Sequence, residues 1–351
     1  MCIKKKIKSL VPQNILKKRI ELLTFFRVNK LFFEDAKYFI SHSGVLTNKN
    51  SSRLAKIIKN YHKIEKGLTL HPRRYHFGEA VISVLLSDIK QAVHDENGKD
   101  EELVECANAI NALMAYIQCH AEMNTEFIQS LKSDVDSLSC DIECKQKDQA
   151  ENLPNAISLH SEVSCKFQEE DINFYDRIIM SRKSVRRFSN QNVETAALES
   201  AINLALQSPS ACNRQPWFVT HLGNKADVDK ALAIQKGNIS LAENINELLI
   251  VWMDVNRALS PEERGQHLFD GGLFSMNLAN ALHIRGINSC FLNWAKERKD
   301  DDILREYVQV PVNYKPVTFL AIGYADKESI VCRSARKSLK NSFFTMNKKN
   351  N

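Results

Sequence analysis

The sequence lacks the long apolar runs that would place the chain across a membrane. No uninterrupted apolar stretch approaches the roughly 18 residues that a membrane-spanning helix needs. The first residues, MCIKKKIKSLVPQN, are basic but contain neither the apolar core nor the cleavage site of a secretory signal. With 44% hydrophobic and 26% charged residues, the composition is typical of a soluble protein, and we expect a cytoplasmic location.

The nine cysteines lack the spacing of a disulfide framework or of a metal site. They are scattered along the chain, and their number is odd. Cys140 and Cys144 lie four residues apart, but no His or Cys pair nearby completes a set of zinc ligands. We therefore expect reduced cysteines, several of them packed in helices, and no bound metal.

Positive charge is concentrated at one end of the chain. The formal net charge is +6, yet residues 1–33 hold nine Lys or Arg and one Glu, a balance of +8 that leaves −2 for the remainder. We interpret residues 1–33 as an exposed basic tail, and peripheral contact with anionic lipid is the alternative that this charge allows. Nucleic-acid binding is not expected, because the body of the chain shows no basic face or recognition motif.

Helical periodicity dominates the first part of the chain. Residues 78–93 and 101–131 carry apolar side chains at helical spacing, with almost no Gly or Pro between them. The pattern weakens after about residue 132, where Ser, Asp, Lys and Gln dominate. We therefore predict a helical region over 34–140 and a linker over 141–173.

From about residue 174, helical patterns alternate with short apolar runs. The runs predict strands at 217–222, 248–255, 287–294 and 317–323. The helical patterns occupy 193–207, 225–236, 264–285 and 297–308. Gly286 is expected to cap the third of these helices, and the continuous run LLIVWMDV is typical of a strand covered on both faces. The order indicates one sheet covered by helices, in an α+β or α/β arrangement.

A cationic segment, RKSVRR at 182–187, opens this half of the chain. Arg forks match phosphate oxygens, and Lys adds a point charge. Alternate residues of an extended segment point the same way, so Arg182, Ser184 and Arg186 could share one ligand. A second cationic pair, Arg336-Lys337, follows the last strand. Two solvated charge runs are the alternative interpretation of these cations.

A polar loop, SPSACNRQPWFV at 208–219, lies between a helical pattern and a strand. Its prolines fix the backbone, and its Asn and Gln side chains carry both donors and acceptors. Together, RKSVRRF and PSACNRQPWFV resemble the nitroreductase family of flavin mononucleotide enzymes. In that family the motifs have the forms Arg-x-Ser-x-Arg-x-Phe and Pro-Ser-x-x-Asn-x-Gln-Pro-Trp. The resemblance covers about 174–340, which leaves 341–351 as a C-terminal tail.

The resemblance implies an α+β fold with a central antiparallel or mixed sheet flanked by helices, here preceded by the mainly helical N-terminal region. It also implies an FMN site. Arg182, Ser184 and Arg186 match the positions that hold the flavin phosphate and ribityl chain, and Lys183 is expected to join them. Arg336 and Lys337 match the cations that close on the same phosphate.

The polar loop matches the part of the family that faces the isoalloxazine ring. The matching residues are Ser210, Asn213 and Gln215. In the family this loop serves the flavin of the neighbouring subunit, so the resemblance implies a homodimer with flavin at the interface. Backbone groups near Cys290 and Phe291 are expected at the pyrimidine end of the ring, where they would stabilise the reduced anion.

The resemblance implies an enzyme that transfers electrons from NADH or NADPH, through FMN, to a small electron-poor acceptor. No Rossmann G-x-G-x-x-G motif is present, which suits a donor that stacks on the flavin. Two alternatives stay open: a flavin-dependent dehydrogenase or oxidase of a biosynthetic metabolite, and a binding module whose helical half does the work. Cys212 and Cys290 are interpreted as packing residues, with a redox role as the alternative.

The N-terminal region holds one distinctive stretch, YHKIEKGLTLHPRRYHFG at 61–78. One interpretation is a helix that ends with Gly67 as its C-cap, followed by a connecting loop. The other is a lid over the flavin site, in which His62, Glu65, Lys66 and Arg73 select a polar or anionic substrate.

Overall fold

The computed structural model describes residues 13–46, 52–72, 74–75, 77–96, 99–123, 125–145, 155–237 and 239–345. Arg73 of the predicted lid lies outside these residues. The helices are α1 Gln13–His42, α2 Arg53–Thr69, α3 Glu79–His94, α4 Asp100–Cys119, α5 Glu126–Lys145, α6 His160–Val163, α7 Glu169–Ser181, α8 Thr195–Ala205, α9 Lys225–Gln235, α10 Gln266–Ile284 and α11 Arg298–Val308. The strands are β1 Trp217–Leu222, β2 Glu247–Asp254, β3 Asn288–Asn293 and β4 Tyr314–Gly323. None of the helices in these ranges is long and apolar enough to cross a membrane.

Helices α2 to α5 form a bundle with a core of its own. Apolar side chains at spacings of three and four residues line one face of each helix, as Ile82, Leu85 and Ile89 do on α3. These side chains are buried against counterparts such as Leu113 of α4 and Val135 of α5. Burying each large apolar side chain contributes about 1.5–3 kcal/mol, so the bundle carries its own stabilising core.

The structure divides the predicted helical stretch 101–131 into two helices. Helix α4 ends at Cys119, and α5 begins at Glu126. The Thr125 hydroxyl accepts a hydrogen bond from the backbone N–H of Ile128 at 3.4 Å, which is the geometry of an N-cap. The periodicity continues through the break because both helices bury their apolar faces in the same core.

Gly67 does not end its helix, contrary to prediction. Helix α2 continues to Thr69, and Leu70 is its C-cap. A Cβ atom at Gly67 would lie 2.0 Å from the ring of Phe77. Glycine is therefore required here for close packing against Phe77 and not for a left-handed backbone.

The second half contains one four-stranded antiparallel sheet in the order β1-β2-β4-β3. Strand β2 is central and buried along both faces, as its continuous apolar run predicts. Helices α8 and α10 cover one face, and α9 and α11 cover the other. A Cβ at Gly271 would lie 3.0 Å from Val317 of β4, so this glycine lets α10 approach the sheet closely. The predicted α+β class, with a helical N-terminal region, is confirmed.

Several helices cross the boundaries predicted from composition. Helix α1 runs through the predicted end of the basic tail at residue 33, because its C-terminal part is anchored: Tyr38 is buried and its hydroxyl donates to the Val312 carbonyl at 2.9 Å. Helix α5 enters the predicted linker, and α7 leaves it at Ser181. Composition alone did not mark these ends, since all three segments are rich in charged residues.

Candidate functional site

The loop between α8 and β1 has an unusual backbone. Cys212, Asn213 and Gln215 have φ angles of 51°, 53° and 46°, in the left-handed region that non-glycine residues rarely adopt. Each such residue costs on the order of 1 kcal/mol or more, so its surroundings must hold it in place. One restraint is internal: the Ser210 hydroxyl accepts a hydrogen bond from the Gln215 N–H at 2.9 Å.

Arg214 anchors the loop from within. Its side chain is buried and forms a two-point ion pair with Glu263, with N–O distances of 2.7 and 2.8 Å. It also donates to the carbonyls of Ala211 at 2.9 Å and Arg257 at 2.6 Å. Its charge is therefore neutralised by the protein. Sequence reasoning did not identify this pair, because nothing local connects the two residues.

Asp270 supports the loop from helix α10. Its carboxylate accepts hydrogen bonds from the Ala211 N–H at 3.3 Å and from Gln266 Nε2 at 2.7 Å. Burial raises the pKa of Asp270, while these two bonds oppose the rise. Asp270 directly precedes Gly271-Gly272. In the sequence, this position beside a Gly pair is the feature that points to a role for Asp270.

Three residues of the predicted phosphate site converge on one place. Ser184 is joined to Ser289 of β3 by a parallel bridge. Burial raises the pKa of the Cys290 thiol next to Ser289, whereas Arg186, the Ser184 hydroxyl and Arg182 all act to lower it. The structure therefore brings Arg182, Ser184 and Arg186 together around one thiol, as their alternation predicts.

The cations of this segment differ in their partners. Arg182 Nη1 is buried and has no hydrogen-bond partner among the described residues. Arg186 is exposed, and its Nη1 lies 3.9 Å from Cys332 Sγ. By contrast, Arg187 turns away and pairs with Asp326 at 3.2 Å and Glu328 at 3.0 Å. Arg182 and Arg186 thus keep donors free for a ligand, whereas Arg187 is a structural cation.

Lys183 and His283 lie beside the cluster, near the last turn of α10. Lys183 Nζ donates to the Met180 carbonyl at 2.5 Å. The His283 ring contacts the Ser181 hydroxyl, with 2.7 Å between Nε2 and Oγ. Burial lowers the pKa of His283, and Arg182 and Lys183 lower it further. His283 is therefore neutral near pH 7 and does not add to the cationic charge.

The remaining predicted residues lie at the edges of this region. Phe291 is exposed on β3, next to Cys290. Arg336 and Lys337 are exposed beyond β4, and Arg336 donates to the carbonyl of Ser334 at 2.7 Å. Cys332, four residues before Arg336, lies next to Arg186 of the cluster. Arg336 itself donates to the nearby carbonyls of Ser334 and Ala335.

The polar loop and the cationic cluster contact opposite ends of α10. Asp270, in the second turn, holds the loop, and His283, in the last turn, contacts Ser181 beside the cluster. Thirteen residues separate the two positions, or about 20 Å along the axis at roughly 1.5 Å per residue. A single chain therefore does not bring Ser210, Asn213 and Gln215 to the cluster.

The residues of the cluster fit the phosphate end of FMN. Two guanidinium groups and a hydroxyl face one region, and the buried Arg182 Nη1 is a donor that a phosphate oxygen would satisfy. Trp217, which follows the loop, stacks on Phe274 at 5.2 Å and packs against the core of the domain.

Known proteins are similar to the half of the chain that contains this cluster and the polar loop. Residues 179–264 match the model of the Nitroreductase family. A protein of Archaeoglobus fulgidus, provisionally named NADH dehydrogenase/NAD(P)H nitroreductase, is 24% identical over 153 residues, covering 43% of this chain and 86% of the relative.

Two solved structures align with about half of the chain. A nitroreductase-like protein of Streptococcus mutans aligns with a TM-score of 0.44 and 20% identity, covering 50% of this chain and all of the other. An FMN-dependent nitroreductase of Clostridium difficile aligns with a TM-score of 0.42 and 20% identity, covering 48% and 98%. Residues 179–264 therefore resemble the Nitroreductase family, and a helical N-terminal region precedes them.

Proposed function

We propose that this chain is an FMN-dependent oxidoreductase that uses NADH or NADPH to reduce a small electron-poor acceptor, such as a quinone, an enone or a nitro compound. When bound, FMN supplies the chemistry, since its ring accepts a hydride and returns the electrons to the acceptor. The observation that carries the proposal is the convergence of Arg182, Ser184 and Arg186, with one buried guanidinium donor that has no partner in the described part of the chain. The name of the Archaeoglobus relative supports the nicotinamide donor.

The cluster would bind the phosphate through charge-assisted hydrogen bonds. Arg182 and Arg186 would each offer N–H donors, Ser184 its hydroxyl and Lys183 a point charge. The Ser184–Ser289 bridge fixes this segment against β3, so these groups are oriented before the ligand arrives. Arg336 and Lys337 would complete the phosphate site if their exposed segment folds over the cluster.

The separation of loop and cluster supports a homodimer. A two-fold axis perpendicular to α10 and near its middle exchanges the two ends of the helix. The loop of one protomer, with Ser210, Asn213 and Gln215, would then lie beside the cluster of its partner. The flavin ring would be framed by the partner's loop while its phosphate is held by Arg182 and Arg186.

Exposed apolar side chains support the same assembly. Helix α7 buries no residue in the single chain, and Phe174, Tyr175 and Met180 on it are exposed. On α10, Leu268 and Phe269 are 57% and 64% exposed. Exposed apolar side chains gathered on helices in this way mark interaction sites in soluble proteins when a second chain can cover them. A second copy covering α7 and α10 would remove it from water and complete the site.

The N-terminal charge supports a further, separate proposal. Helix α1 exposes Leu22, Phe26 and Phe33 among several lysines and arginines. Such a composition suits peripheral contact with an anionic membrane surface. Co-sedimentation with anionic but not with neutral vesicles would support it, and equal recovery in both supernatants would contradict it. The cytoplasmic location stays a prediction.

Anaerobic reduction of the FMN-loaded protein tests the function. NADH or NADPH should bleach the visible absorbance of the flavin, and adding a quinone or nitro compound should restore it. If a metabolite alone bleaches the flavin, and admitting oxygen then restores the absorbance, the dehydrogenase or oxidase alternative would be favoured. A colourless protein that cannot be reconstituted with FMN would contradict both and favour the binding module.

A further inference from the structure

The N-terminal bundle contacts the polar loop directly. Helix α2 packs against the turn Ala211–Asn213. Tyr61 of α2 is 3% exposed, and its hydroxyl donates to Glu105 of α4 at 2.8 Å. The Asn213 side chain lies beside the Tyr61 hydroxyl and acts to lower its pKa, which burial raises. A residue predicted to face the flavin ring thus lies against a residue in the core of the bundle.

A second connection joins the bundle to the next residue of the loop. The Arg257 guanidinium donates to Glu101 of α4 at 2.6 Å and to the carbonyl of Arg214 at 3.4 Å. Arg257 is buried, and Asp254 holds it from the side of β2 at 3.3 Å. The loop therefore meets the bundle at two successive positions, through the side chain of Asn213 beside Tyr61 and through the carbonyl of Arg214 by way of Arg257.

The loop requires such support from outside. Three of its residues keep positive φ angles, and residues in this conformation persist only where neighbouring structure holds them. The internal bond from Gln215 to Ser210 closes the loop but does not orient the Asn213 side chain. Tyr61 is placed to do so, because it lies beside Asn213 and its own hydroxyl is fixed by Glu105.

We propose that the N-terminal bundle holds the loop in its flavin-binding conformation, and that Tyr61 is the positioning residue that orients Asn213. The proposal rests on the proposed function for the identity of the ligand, but the restraint itself is a property of the flavin-free chain. It assigns a role to the helical region that differs from the predicted lid. Tyr61 faces the loop from inside the bundle, whereas His62 is paired with Glu65 at 3.0 Å.

The test is Tyr61→Phe in the full chain, with Tyr116→Phe as the matched control. Tyr116 is equally buried in the same bundle, but its hydroxyl donates to the Phe77 carbonyl at 2.9 Å, away from the loop. In flavin-free protein, amide exchange of residues 208–216 should speed up about fivefold in Tyr61→Phe, the factor expected for one lost hydrogen bond. Tyr116→Phe should leave it unchanged. Equal exchange in the wild type and Tyr61→Phe would overturn the proposal.

A double-mutant cycle of FMN affinity tests the Tyr61–Asn213 pair itself. Tyr61→Phe and Asn213→Ala should each weaken binding, and the double variant should bind no more weakly than Asn213→Ala alone. Additive losses would overturn the proposed coupling. If the chain does not bind FMN at all, the proposed function fails, while the exchange experiment still decides whether the bundle restrains the loop.

Discussion

Arg214 and Glu263 form a two-point ion pair with N–O distances of 2.7 and 2.8 Å, although 49 residues separate them in the chain. The Arg214 side chain is only 3% exposed, and Glu263 is 20% exposed. The pair ties the middle of the polar loop to the turn before α10. The central cation of the loop therefore serves the fold.

Replacing Glu263 by Ala should destabilise the protein markedly. Arg214 would keep its charge in a buried site without a partner, and breaking a buried pair in this way costs about 3–5 kcal/mol. Because Glu263 is partly exposed, we expect the loss in the free energy of unfolding to lie near the lower end of this range. Urea unfolding measures it, and Asp134→Ala, which breaks the exposed pair with Lys90, is the control that should change stability little. A loss no larger than in the control would contradict this account of the loop.

His267 should make stability depend on pH in acid. Burial, reinforced by Lys315, lowers the pKa of His267 to about 4, while Asp35 opposes the shift. Because the pKa in the folded state lies below that of the unfolded chain, the contribution is complete above about pH 6.5 and declines as pH falls to about 4. At about 1.4 kcal/mol per pKa unit, the decline is on the order of 3 kcal/mol.

Comparing the wild type with His267→Gln separates this contribution from those of other titratable groups. As the pH is lowered from 7 to 4, the free energy of unfolding of the wild type should approach that of the variant or fall below it. A difference between the two proteins that stays constant over this range would contradict the assignment.

Charge placed on the exposed face of α10 should separate the protomers. Phe269→Asp is expected to give a monomer in sedimentation velocity and to weaken FMN binding at the same time, because the partner's loop would no longer reach the cluster. Ile303→Asp is the control, since Ile303 is 49% exposed on α11, on the other face of the sheet. A wild-type protein that is monomeric and still binds FMN tightly would contradict the two-fold arrangement.

Local sequence patterns predicted the fold of the second half well. The buried run of β2 and the cap at Gly286, with φ of 75°, follow from composition and from backbone preferences. The convergence of Arg182, Ser184 and Arg186 follows from alternation in an extended segment, which a β-bridge then fixes. These features depend on neighbours in the chain, so the sequence was sufficient to predict them.

The supports of the loop could not be predicted in this way. Arg214–Glu263 and Tyr61–Asn213 join residues that only tertiary packing brings together, and the signal for each is a single polar residue. Gly67 was misinterpreted for the same reason, since the ring of Phe77 that requires a glycine there comes from a later segment. Likewise, the distance between the loop and the cluster is set by the contacts of both with α10, which the sequence does not reveal.

Titration of the purified protein with FMN tests the central claim most directly. Arg182→Ala and Arg186→Ala should each weaken binding about 10- to 150-fold, as expected for the loss of about 1.5–3 kcal/mol from a charge-assisted contact. Arg187→Ala, which removes a cation of the same segment that pairs with Asp326 and Glu328, should bind FMN like the wild type. Undiminished binding by Arg182→Ala and Arg186→Ala, or an equal loss in Arg187→Ala, would contradict the account.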